Sequence, residues 1–253
     1  MHLYLFFGTI SLGQSLLYMT QLAAIADPRN IPTYTVVDAA RYLNIPGGTL
    51  QSWLRGRTYS TQEGHRYYEP LIHRPSPNLH QLSFTNLIEA HVLRVIRKDH
   101  KVRLDKVRTA LDYLEQQFQI PHPLAQIQFQ TDGVNLFVEM VGRLVEVSRP
   151  GQLVMQETLQ HLLQRVEWDE QGIAAKLYPL TSGLKENAPK QLVIDPRIAF
   201  GRPTLVGTGI PTKNLAARYK AGESISDLAL DYNCDRLQIE EAIRCELSLQ
   251  DAA

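Results

Sequence analysis

The chain has 253 residues, 44% of them hydrophobic, and its 26 Lys and Arg balance 26 Asp and Glu. That length supports two or three small hydrophobic cores, and a formal charge of zero removes overall basicity as a reason to bind polyanions. The zero conceals an asymmetry: residues 1–108 hold 13 Lys and Arg against 7 Asp and Glu, whereas residues 109–253 hold 13 against 19. A basic half joined to an acidic half predicts two different partners.

The N-terminal run MHLYLFFGTISLGQSLLYMTQLAAIADP is apolar, but only His2 precedes the apolar stretch, so the basic start of a signal peptide is missing. Gly8 and Gly13 break it, and it falls short of a membrane span. Residues 1–30 therefore read as a poorly ordered extension, or, up to residue 18, as sequence ahead of a true start at Met19. Nothing else approaches a transmembrane segment, which predicts a cytoplasmic protein. The two cysteines, Cys234 and Cys245, make neither a CxxC motif nor a disulfide framework, and both read as small apolar residues in a reducing compartment.

The stretch YTVVDAARYLNIPGGTLQSWLRGR, from Tyr34 to Arg57, carries a helix-turn-helix pattern. Thr35 suits an N-cap for a short helix with Val36, Ala39, Ala40 and Leu43 on one face. Asn44 can take the left-handed conformation that ends it. Ile45 returns to the core, and Pro46 or Gly47 opens a second helix that buries Leu50, Trp53 and Leu54. Its outer face offers Thr49, Gln51, Ser52 and Arg55, with Arg57 just beyond. Arg and Gln suit base edges, and Ser and Thr suit phosphates. A plain antiparallel helix pair is the alternative, but cap, turn and core positions agree on a DNA reader.

Residues 58–82 are short, Pro-broken and dotted with Tyr and His, which predicts an irregular wing with Arg66, Tyr67 and Tyr68 near a phosphate backbone. His65, His73 and His80 match no zinc spacing, so no metal is expected. Ser83 or Thr85 then caps a helix, and Leu104, Val107, Leu111, Leu114 and Phe118 form the stripe of another. A helix-turn-helix, a wing and two supporting helices give this half a layout that resembles MerR-like DNA-binding domains. The resemblance implies that Thr35, Thr49, Gln51, Ser52, Arg55, Arg57, Arg66 and Tyr68 lie toward double-stranded DNA.

Period 2 takes over from residue 125: AQIQFQ, VNLFVEM after Asp132-Gly133, and RLVEV all read as strands. A helix around Met155–Val166 and a strand in GIAAKLYPL follow. Glu167, Asp169 and Glu170 read as a solvated turn, and residues 182–190 as a linker. No paired carboxylates, nucleophile elbow or ligand cluster stands out, so no catalytic residue and no cofactor is assigned.

The last third raises a question with GRPTLVGTGIPTKN, whose Gly201, Gly207 and Gly209 precede Lys213 at a helix start. It fits no phosphate loop: Thr212 precedes Lys213 instead of following it, and no third glycine completes a dinucleotide fingerprint. Helices are expected from Pro211 or Thr212 to Gly222, from a Ser224/Asp227 cap, and from an Asp235/Gln238 cap. Ile194-Asp195-Pro196, Gly201-Arg202-Pro203, Gly207-Thr208-Gly209-Ile210-Pro211 and Ala221-Gly222-Glu223-Ser224 closely resemble the antitoxin-associated domain catalogued as domain of unknown function 433. Gly209 stands where that family usually has Arg. The glycines are then turn residues leading from a strand into a helix.

Leu228, Ala229, Tyr232, Asn233, Cys234 and Ile239 fall in the register of Ala39, Ala40, Leu43, Asn44, Ile45 and Leu50. The final helix carries Asp235, Glu240, Glu241 and Glu246 against Arg236 and Arg244, a sign that phosphate would repel. A helix-turn-helix shape serving a protein partner is expected. The fold class is α+β and mostly helical: a winged helix-turn-helix over 31–124, a small β-rich module and linker over 125–190, and a three-helix domain with a short β lead-in over 191–253.

Chains that join these parts resemble VapB-type antitoxins. The resemblance implies that this one neutralises a PIN-like ribonuclease toxin encoded nearby and represses its own operon as a homodimer, without catalysis, cofactor or membrane. Arg202, Lys213 and Arg218 are then candidates to meet the toxin's acidic site. The alternative is a stand-alone MerR-like regulator whose C-terminal half binds a ligand or dimerises.

Overall fold

The computed structural model describes residues 27–61, 64–76, 78–179 and 189–247. The N-terminal extension up to residue 26 and the linker expected at 182–190, as far as residue 188, lie outside the described residues. Two short strands, β1 (Tyr34–Thr35) and β4 (Gln81–Leu82), pair antiparallel and bracket the first unit. Between them run α1 (Val36–Leu43), α2 (Gly47–Arg55) and the ribbon of β2 (Arg57–Thr61) with β3 (Gly64–Tyr68). This wing is regular where the sequence predicts irregularity, with five consecutive antiparallel pairs from Arg57↔Tyr68 to Thr61↔Gly64. The β-favouring Thr58, Tyr59, Tyr67 and Tyr68 outweigh the prolines, which all come after the ribbon.

The centre of the molecule is α3 (Phe84–Lys98), started by a capping box in which the Ser83 hydroxyl accepts from Asn86 N and the Asn86 side chain accepts from Ser83 N. Every residue from Phe84 to Ile96 is buried. Its polar members are placed accordingly: Asn86 donates to the His73 carbonyl and to Glu89, and Glu89 holds His122 at 2.8 Å. The next helix, α4 (Leu104–Phe118), buries Val107, Leu111 and Leu114 of its expected stripe together with Ala110, while Leu104 and Phe118 at its ends are half-buried.

The middle segment departs from the sequence reading. The strands expected across 125–147 give way to helix: a π turn at Phe129–Gly133 leads into α5 (Val134–Val145), and α6 is Arg149–Leu163. The run VNLFVEMVGRLV satisfies both periods, alternating at Val134, Leu136, Val138 and Met140 and repeating helically at Val134, Phe137, Val138 and Val141. The helical set is the buried one, because α5 packs between α4 and α6. Asp132-Gly133 is therefore part of a helix start and not a hairpin turn. Among the described residues of this module, β structure is the closing hairpin, β5 (Val166–Trp168) with β6 (Ala174–Leu177), and an isolated bridge from Gln126 to Ile173. The module is mostly helical, not β-rich.

Beyond it, β7 (Leu192–Val193) pairs with β8 (Thr204–Leu205) and leads to α7 (Thr212–Lys220), α8 (Ile225–Tyr232) and α9 (Arg236–Leu247), the helices the sequence predicts. One buried apolar cluster runs from Tyr34 to Cys245 through all these segments. The helix α9 packs along α7 and α8 and reaches α1 of the first unit. Among the described residues no helix is long and apolar enough to cross a membrane.

Candidate nucleic-acid and partner interfaces

The first helix pair is fixed by its ends. The Thr35 hydroxyl accepts from Asp38 N at 3.0 Å and donates to the Asp38 carboxylate at 2.7 Å, so its role is the cap of α1. Asn44 is left-handed (φ 51°, ψ 51°) and donates to the Ala40 and Arg41 carbonyls. Ile45 N then donates back to Ala40 O at 2.9 Å, which turns the chain into the core. After Pro46 the first turn of α2 has no side-chain cap, and nothing stands within 4 Å of where a Cβ of Gly47 or Gly48 would be. That open helix start presents uncapped backbone N–H groups.

Along α2, Leu50, Trp53 and Leu54 are buried, Gln51 and Arg55 are exposed, and Thr49 and Ser52 are half-buried. The structure thus brings four of the expected DNA contacts onto one helix face. The Ser52 hydroxyl donates to Thr49 O at 2.7 Å and keeps its lone pairs. Tyr67, one of the expected wing residues, ties the wing to the end of this helix by donating to Arg55 O at 3.0 Å. Arg57, Arg66 and Tyr68 sit on the ribbon, where the register opposes Arg57 to Tyr68 and Arg66 to Tyr59; their side chains lie outside the described residues. No three His, Cys, Asp or Glu side chains converge to hold a metal among the described residues, and His65, His73 and His80 form no such group.

The second helix pair repeats the first at the backbone. Asn233 is left-handed (φ 49°, ψ 50°) and donates to the Ala229 and Leu230 carbonyls, and Cys234 N donates to Ala229 O at 3.0 Å. Its outer face differs in kind: Leu230 and Leu237 are 81% and 66% exposed. The acidic face expected on α9 needs correction at Glu246, which is 6% exposed. Its carboxylate accepts from the Thr212 hydroxyl at 2.6 Å and pairs with Arg41 of α1 at 3.1 Å. Arg41 also meets Asp38 at 2.9 Å and lies over the Tyr42 ring. Burial, with Glu246 close by, pushes the Tyr42 phenol up to about 12. Glu246 is thus an internal link between the two helix-turn-helix units. Packing of α9 on α7 and α1 turns it inward.

The three candidate toxin contacts separate in the same way. Arg218 is held by Glu223, by Asp231 at 2.6 Å and by the Tyr232 ring, which joins α7 to α8. Arg202 and Lys213 are exposed. The acids of the β5–β6 hairpin are organised instead of merely solvated: Glu167 pairs with Lys176 at 2.7 Å, and Asp169 pairs with Arg29 at 2.5 Å while accepting from the Gln171 and Ile173 N–H groups.

Residues 32–111 match the family model described as "Putative DNA-binding HTH domain", and residues 192–244 match "Protein of unknown function (DUF433)". Both segments read from the sequence are present. Two proteins of Mycobacterium tuberculosis (strain ATCC 25618 / H37Rv) are similar along nearly their whole length. "Putative antitoxin VapB45" is 28% identical over 231 residues, covering 85% of this chain and 93% of that protein. "Uncharacterized protein Rv2308" is 26% identical over 224 residues, covering 85% and 89%. The crystal structure of Rv2018 from Mycobacterium tuberculosis shares the fold, with a TM-score of 0.60 at 24% identity over 84% of this chain and 98% of that one.

Proposed function

We propose that this chain is the antitoxin of a toxin–antitoxin pair, binding its own promoter through residues 31–124 and its toxin through residues 191–253. One observation carries the reading: a helix-turn-helix with an open, polar outer face is joined by one continuous core to a segment matching DUF433. A protein named as an antitoxin is similar across both parts. In this reading the open start of α2 meets a phosphate, Gln51 and Arg55 reach base edges in the major groove, and Thr49 and Ser52 contact backbone oxygens. Arg57, Arg66 and Tyr68 bring the wing to the flanking backbone. A homodimer supplies the second half-site.

The C-terminal unit acts by protein contact and without catalysis. Arg202 and Lys213 are the exposed cations for a PIN-like toxin whose site is acidic, and Arg218 supports the fold behind them. Both activities place the protein in the cytoplasm with the promoter and the toxin.

The full chain is the reagent for testing this, because Glu246 completes the surroundings of Arg41 in the DNA-binding unit. Gln51→Ala with Arg55→Ala should weaken binding to the native promoter by about 100-fold, at two lost base contacts of ~1–3 kcal/mol each. Promoter affinity unchanged in that double variant overturns the DNA reading. Failure of the wild-type chain to bind and silence the product of the neighbouring gene overturns the antitoxin reading and leaves a stand-alone regulator.

A further inference from the structure

Phe200 is the most exposed of the large apolar side chains described, at 86%. It sits at the tip of a turn in which three successive residues have positive φ: Ala199 at 48°, Phe200 at 55° and Gly201 at 71°. Only glycine takes that conformation without steric cost, and here two of the three residues carry a Cβ. The side chain at the tip buries nothing in return.

The turn is nevertheless firmly built. The buried Asp195 carboxylate accepts from Arg197 N at 2.9 Å, and Ile198 N donates to Asp195 O at 3.0 Å. Gly201 N and Arg202 N close the turn onto the Ile198 and Ala199 carbonyls at 2.9 and 3.2 Å. Gly201 also lies so close to Tyr34 of β1 that a Cβ there would overlap the phenol oxygen. An aromatic side chain held outward on a strained, fixed support fits the description of a preorganised contact.

The surroundings indicate what it contacts. Ile198 is 41% exposed beside it, and Arg197 and Arg202 flank it as exposed cations. Next to the turn lies a cleft of about 390 Å³ bordered by Pro196, Arg197, Arg29, Asp27 and Asp169. We propose that this turn is the anchor for the protein partner, with Phe200 entering an apolar pocket edged by carboxylates that Arg202 meets. Single-stranded nucleic acid also stacks on aromatics beside cations, but it needs a basic track. Here Arg197 is paired with Asp195, and Arg29 with Asp27 and Asp169, which leaves Arg202 as an exposed cation beside Phe200 that no carboxylate among the described residues holds.

The anchor rests on the antitoxin reading, in which the partner is the toxin. The test uses the full chain co-purified with the product of its neighbouring gene, and titrates Phe200→Asn and Arg202→Ala. Asn tolerates the left-handed conformation, so the turn itself is retained. Phe200→Asn should weaken the complex by at least about 30-fold, as a central aromatic anchor does, and Arg202→Ala by about fivefold, with promoter affinity and melting temperature unchanged. Wild-type binding that Phe200→Asn leaves within twofold overturns the anchor while the antitoxin reading stands. No binding by the wild type removes both. Loss in Phe200→Asn of self-association or of RNA oligonucleotide binding, with the partner complex intact, reassigns the turn to a second copy or to nucleic acid and overturns the proposal.

Discussion

The link from Glu246 to Arg41 makes a definite demand on stability. Glu246 is 6% exposed, accepts a hydrogen bond from the Thr212 hydroxyl at 2.6 Å and forms an ion pair with the Arg41 guanidinium at 3.1 Å. In Glu246→Ala the hydroxyl of fully buried Thr212 loses its acceptor, at about 1–3 kcal/mol. Arg41 keeps Asp38 at 2.9 Å and partial exposure, so its loss falls well below the ~3–5 kcal/mol for a broken buried pair, at about 1 kcal/mol. The total should be about 3 kcal/mol. Glu246→Gln keeps an acceptor for Thr212 and should cost about half as much.

The assay is urea unfolding followed at Trp53, one of two tryptophans in the chain and 1% exposed in the first helix pair. With Trp168→Phe as background, Trp53 reports on the DNA-binding unit alone. A change at Glu246 in the last helix should lower the Trp53 midpoint. A double-mutant cycle of Arg41→Met with Glu246→Gln should give a coupling of about 1–2 kcal/mol. Coupling below ~0.5 kcal/mol, or a Trp53 midpoint that stays fixed while helix content falls earlier, refutes the link.

Burial with the charges of Arg94 and Arg165 nearby pushes fully buried His91 down to about 3, whereas the unfolded chain protonates near 6.5. Stability should therefore fall as pH drops below 6.5, by about 2 kcal/mol at pH 5, and His91→Leu should lose that share of the drop in urea midpoints. His122 has the opposite sign: its hydrogen bond to Glu89 raises it above 6.5, so its contribution is complete below 6.5 and lost as pH rises through the folded value. An NMR titration of His122 should show it raised, and Glu89→Gln should bring it down, since burial then acts on it without the carboxylate. Gly201→Ala should cost about 2–4 kcal/mol from left-handed strain and overlap with Tyr34. Adding Tyr34→Phe should recover only the overlap share in thermal melts, and Tyr34→Phe alone should be near neutral, since its hydroxyl has no hydrogen-bond partner among the described residues.

What the sequence reveals here is what short-range chemistry decides. Thr35, Ser83 and Ser224 cap the helices they precede, and Asn44 and Asn233 end theirs in the left-handed region. These residues act within four positions of themselves, so both helix-turn-helix units are legible residue by residue. Residues 126–147 are not legible in that way, because their apolar pattern fits two periods and α4 and α6 choose between them. Glu246 shows the same limit in charge: beside Glu240 and Glu241 it looks like surface, and only its approach to Arg41 reveals it as interior. Phe200 carries one local signal, an aromatic directly before a glycine, but its exposure and backbone strain exist only in three dimensions.

The two helix pairs use one backbone pattern and reach opposite ends. Ala40, Asn44 and Ile45 correspond hydrogen bond for hydrogen bond to Ala229, Asn233 and Cys234. What differs is what each outer face shows: Gln51 and Arg55 on the first, Leu230 and Leu237 on the second. The C-terminal unit also touches the first at two places, one on α1 and one just before it. Glu246 grips Arg41 on α1, and Gly201 rests on Tyr34 at the start of that helix. A partner anchored at the 197–202 turn would act on the element that carries Tyr34. If it favours one setting of that contact, promoter affinity must change by the same factor by which the promoter changes partner affinity. A shared core with two buried contacts between reader and anchor is the physical arrangement through which such reciprocity passes.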